Sequence, residues 1–174
     1  MNPAHLHLMV NHLPVLGTPF VLALLLWGLV RHSRDLLRAA LGGAIVVAAL
    51  SYPVFLTGEP AEERVEDASW LQERRVHEHE ERAEGALIAM LLTGAVAMVG
   101  LWQSRGERPV STGLAGLTAA GLLLSAGLFG WTALAGGTIR HDEIRDGGSG
   151  AVLAPVPGDT GQQGGVGDDD GDND

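Results

Sequence analysis

Apolar residues fall in four long runs along this chain, separated by polar segments, at about residues 13–30, 39–56, 83–102 and 114–134. Residues 21–30, 41–50, 86–101 and 114–134 carry no charge at all. A helix of about 20 apolar residues crosses a hydrocarbon core. A water-soluble bundle would set a polar stripe along each helix, yet the fourth run offers only Thr118, Ser125 and Thr132. The pattern predicts an all-α protein: an integral membrane four-helix bundle with a charged extramembrane loop. Residues 1–146 form the transmembrane domain in this reading, and 147–174 form a disordered acidic tail.

The first run sets the orientation. Nothing before it is basic, while Arg31, Arg34 and Arg38 follow it at once. The positive-inside bias then puts the N-terminus outside. The loop with Arg105 and Arg108 also lies inside; the loop at 58–82 and the C-terminus lie outside. This makes a multi-pass protein of the bacterial inner membrane with both termini periplasmic. The missing basic n-region argues against a cleaved signal peptide, so the first run is expected to stay as an anchor. Trp27 and Trp102 sit near the inner boundary, Tyr52 and Trp131 near the outer one, as in an interfacial belt.

Small residues recur four apart in the fourth run: Gly116 and Ala120, Gly121 and Ser125, Ala126 and Gly130. This spacing lets helix backbones approach. Pro14, Pro19 and Pro53 remove backbone donors in the outer half of the bundle. Between the second and third runs, residues 61–66 and 72–84 are helix-forming and charged. The latter should extend the third helix beyond the bilayer, with Trp70 and Leu71 resting on its surface. From Gly147 onward the Gly- and Asp-rich composition has too little apolar surface to order itself.

Composition narrows the chemistry. Of 174 residues, 46% are hydrophobic and 18% charged, and there is no cysteine. Disulfides, thiolate metal sites and covalently attached heme are thereby excluded. A net charge of −10 is not the footprint of a nucleic-acid binder. The expected partners are the lipid bilayer and other membrane subunits.

The seven histidines are distributed unevenly. An even number of crossings puts His5, His7, His12, His77, His79 and His141 on one side, and only His32 on the other. His12 borders the first run and is expected to face the bundle, whereas His7 should point elsewhere. Within His77-Glu78-His79-Glu80-Glu81, His79 shares a face with Ala83 and Ala86 and should turn inward, leaving His77 solvated. Glu84 lies deepest of the acids and needs a partner such as Arg82 or Arg140. The glycines before Thr138 allow His141 to fold back. One donor from each helix then makes a set: His12, Glu59, His79 and His141, supported by Glu80, Glu84 and Arg140.

Three chemistries suit this set. Imidazoles from different helices, such as His12, His79 and His141, ligate heme b. Mixed imidazole and carboxylate ligands hold a transition metal. Histidines beside carboxylates relay protons or sense pH. The alternative is a cluster of interfacial polar residues with no ligand. No H-E-x-x-H, phosphate loop or nucleophile elbow marks an enzyme.

The stretches His5-Leu6-His7-Leu8-Met9-Val10-Asn11-His12-Leu13-Pro14-Val15-Leu16-Gly17, Leu56-Thr57-Gly58-Glu59-Pro60-Ala61-Glu62, His79-Glu80-Glu81 and Gly136-Gly137-Thr138-Ile139-Arg140-His141 together resemble a family of small uncharacterised four-helix bacterial inner-membrane proteins. The resemblance covers about residues 3–145. It implies the topology and the grouping of these motifs, and no established activity. A looser similarity, in architecture and terminal histidines, links the chain to four-helix b-type cytochromes. The functional expectation is a small electron-transfer or accessory subunit holding heme b or a metal. The alternative is a cofactor-free structural subunit of a larger membrane complex; an enzyme with a dissociable substrate ranks third.

Overall fold

The computed structural model describes residues 2–68 and 71–140, all helices and turns. Six helices follow in order: α1 (Pro3–Val10), α2 (His12–Val30), α3 (Arg34–Leu56), α4 (Gly58–Glu63), α5 (Glu73–Gln103) and α6 (Thr112–Arg140). Four helical stretches are long and apolar enough to cross a membrane, the first made of α1 and α2 together. His141, the acidic tail and Trp70 lie outside the described residues.

The first helix starts at Pro3, well ahead of the apolar run 13–30. The Asn2 side chain accepts from the Ala4 N–H at 3.0 Å, and Pro3 occupies the first turn, where its missing donor costs nothing. Asn11 interrupts the helix but keeps right-handed helical angles, so α2 continues from α1. Pro14 accounts for the interruption, because it has no N–H to give the Val10 carbonyl.

Helices α2, α3, α5 and α6 pack as an up-and-down ring. Each touches its neighbour in sequence, and α6 closes against α2. The short α4 lies against α1 at the end where the chain enters α2. Along α6 the buried positions are Ala115, Thr118, Leu122, Ser125, Phe129, Thr132 and Ala135, a three-four repeat that keeps one stripe facing inward. Small and hydroxyl residues fill much of the interior, while Leu123, Leu124, Trp131 and Leu134 of the same helix point outward. That is the arrangement a lipid solvent favours. Association there rests on close packing rather than on hiding large apolar groups from water.

Glycines set two of the closest approaches. A Cβ on Gly94 would fall 2.5 Å from the Ala48 Cβ, so α3 and α5 meet almost backbone to backbone. Gly121 packs on the Thr93 side chain between α5 and α6. The other small pairs do not serve the bundle: Gly116, Ala120 and Gly130 face outward, with open space beside both glycines.

The interior hydroxyls are satisfied locally. Thr18 donates to the Pro14 carbonyl at 2.7 Å, Ser51 to Val47 at 2.8 Å and Thr118 to Leu114 at 2.8 Å. Among the described residues, Ser125 Oγ is buried without any partner.

Candidate functional site

The antiparallel ring gathers His5, His7, His12, His77 and His79 at one end of the bundle, called here the histidine end. Arg31, Arg34, Arg38, Arg105 and Arg108 mark the other, the arginine end. The imidazoles do not meet as the sequence suggested. His12 is exposed, and its ring folds back so that Nδ1 lies 2.8 Å from the Leu8 carbonyl of its own helix. Glu59, Glu80 and Glu84 are exposed. His77 is exposed and sits 3.3 Å from Glu81. Among the described residues, no three His, Asp or Glu side chains gather in a way that could hold a metal ion. His12, Glu59 and His79 therefore form no common set, and His141 lies outside the described residues.

Of the other described imidazoles, His7 is the one close enough to His79 to feel its charge. Because α2 continues almost straight from α1, His12 lands on the outer surface and His7, five residues earlier, turns toward α4. His7 Nδ1 lies 2.8 Å from Thr57 Oγ1. Thr57 Oγ1 lies 2.6 Å from the Val54 carbonyl, which accepts only, so the one hydroxyl proton goes there. Thr57 must then accept from His7, which fixes the hydrogen of His7 on Nδ1.

His79 is fixed the same way from the opposite wall. Its Nδ1 lies 3.0 Å from the Thr132 carbonyl on α6, an oxygen that accepts only, so Nδ1 donates. A Cβ at position 136 would come within 3.1 Å of the ring's Cε1, so Gly136 leaves the space the imidazole fills. With the hydrogen of each ring on Nδ1, each Nε2 is the ring's acceptor nitrogen.

Both rings are half-buried and lie beyond the apolar stretches 13–30 and 83–102. Burial is the main influence on each and favours the uncharged imidazole. For His7 the nearby His79 adds to that preference. For His79 the Thr132 carbonyl, as acceptor, works against it. Beside them, burial and then the neighbouring Glu80 carboxylate of α5 push the Glu62 carboxyl of α4 above its ordinary range. The end of the bundle thus offers two half-buried imidazoles, each held through Nδ1, beside a carboxyl group.

The interior of the helix ring is filled by side chains. Leu25, Leu41, Met90 and Leu122 are completely buried there, and α3 and α5 touch at Gly94. A heme between the helices would require the ring to open. A single ion asks only for the acceptor nitrogens.

Sequence reasoning turned His12 rather than His7 to the bundle because it set the first helix at the apolar run 13–30, whereas the helix begins at Pro3. The Asn2-Pro3 pair, a cap followed by a first-turn proline, was the available signal. No family model, curated protein or solved structure matches this chain, so its function is argued from the geometry alone.

Proposed function

We propose that this is a multi-pass protein of the bacterial inner membrane with its N-terminus and histidine end outside. In this reading it is a small accessory subunit that binds a transition-metal ion between His7 and His79. One observation carries the proposal: both rings give their Nδ1 hydrogen to an oxygen, which makes each Nε2 the acceptor nitrogen. A metal-ligating imidazole needs this orientation, with its other nitrogen held by a carbonyl or hydroxyl. Imidazole donors suit copper, zinc, iron and nickel. Water or a donor from a neighbouring subunit would complete the coordination. Electron transfer follows if the ion is copper or iron.

The test is metal titration of the purified full-length protein in detergent, followed by calorimetry and elemental analysis. A near-stoichiometric ion should bind to the natural protein and to His12→Ala, and be lost in His7→Ala and in His79→Ala. Equal binding by all four proteins would overturn the assignment. Sharp visible bands on reduction would replace it with a heme.

A second reading has its own observation. Gly116, Ala120, Leu123, Gly127, Gly130 and Leu134 lie along one exposed face of α6. Their three-four spacing and small size suit a further helix packed against α6. A structural subunit of a larger membrane complex would use that face and need no ion. Gly127→Leu would then break co-purification with the partner while leaving metal binding intact.

A further inference from the structure

The arginine end holds a feature that the proposed metal site does not use. A groove of about 540 Å³ runs between α3 and α5, lined by Arg38, Met98, Val99, Leu101, Trp102 and Arg105. A smaller hollow of about 390 Å³ continues past Trp102 and Arg105 toward Arg108. We propose that this groove binds an anionic phospholipid, with the phosphodiester between Arg38 and Arg105 and an acyl chain along Met98 and Val99.

The two arginines come from different walls. Arg38 stands on the second turn of α3, and Arg105 follows the end of α5. Arg38 is held loosely in place by the Gly106 carbonyl, 3.5 Å from its Nη1, and Arg34 donates to the same oxygen. Only Asp35 and Glu107 are acidic in the two turns at this end. Among the described residues neither pairs with an arginine, since both ion pairs lie at the histidine end. Among the described residues the positive charge of the groove is therefore uncompensated.

The walls identify the ligand as a lipid rather than a free anion. Met98 and Val99 are 56% and 44% exposed and continue the apolar surface of α5. Trp102 is 61% exposed at the mouth, at the depth where an indole bridges hydrocarbon and headgroups. Charge at one end and apolar wall below it match an anionic headgroup with its chain. Basic pockets between membrane helices hold such headgroups by the same chemistry. Gly100 brings the helices together behind the groove: a Cβ there would lie 3.3 Å from Leu41.

Tryptophan quenching tests the assignment. The full chain is reconstituted in phosphatidylcholine vesicles containing a small, equal fraction of either brominated phosphatidylglycerol or brominated phosphatidylcholine. The Trp102 share of the signal is obtained by difference from Trp102→Phe. Quenching by brominated phosphatidylcholine reports insertion, so failure to insert is distinguished from failure to select. Trp102 should be quenched more strongly by phosphatidylglycerol. The preference should fall about fivefold for each arginine removed, by Arg38→Gln or Arg105→Gln. Arg31→Gln, outside the groove, should leave it unchanged. If Arg38→Gln does not fold, Arg105→Gln, at an exposed position, decides. Equal quenching by the two lipids overturns the proposal. So does loss of the preference on adding millimolar inorganic phosphate, which would mark a site for small anions.

Discussion

At the scale of single residues, His79 owes its orientation to what surrounds it. The Thr132 carbonyl takes its Nδ1 hydrogen and Gly136 leaves room for its ring. Gly136→Ala should push the ring off that carbonyl and cost about 1–3 kcal/mol, as overpacking does. Thermal unfolding in detergent measures the loss, and an unchanged midpoint would show that the ring moves freely. Ser125 poses the opposite case. Its hydroxyl is buried and unpartnered, so Ser125→Ala should leave stability unchanged or raise it by about 1 kcal/mol. A clear loss would mean that the hydroxyl has a ligand. The parity of the crossings already placed these histidines at one end. Which of them face each other was not legible, because that depends on the angle at Asn11 and on Thr57, fifty residues from His7.

At the scale of elements, the apolar runs announced the four long helices, since length and hydropathy are local properties. Their contact faces were harder to read. Three small-residue pairs on α6 had the same spacing, and only Gly121 and Ser125 face the bundle. The deciding partner of Gly121, Thr93, lies on α5. Gly94→Ala should separate α3 from α5 and lower stability by about 1–3 kcal/mol, read from unfolding in mixed detergent. The turn between α2 and α3 carries the one described non-glycine residue with positive φ, His32 at 49°. Left-handed backbone strains a side chain bearing a Cβ. His32→Gly should therefore stabilise the hairpin by up to about 1 kcal/mol, less the entropy that glycine loses on folding. A lower unfolding midpoint would show that the His32 side chain makes up for the strain.

At the scale of the whole molecule, the two ends differ in charge and in construction. Reporter fusions at Arg34 and Arg105 should read cytoplasmic, and one at Asp67 periplasmic, if the arginine end lies inside. A cytoplasmic signal at Asp67 would invert both the proposed metal site and the lipid groove. Residues 31–33 join α2 to α3 and 104–111 join α5 to α6 at the arginine end, whereas 57–72, which include α4, link α3 to α5 at the other. Each half is thus a hairpin of two apolar helices, and the halves meet along α3 with α5 and α2 with α6. The peptide link near Asp67 only keeps the halves at high local concentration. The chain is in effect two insertion units that recognise each other sideways. Cut there and made as separate polypeptides in one cell, the halves should find each other in the bilayer and restore the ring.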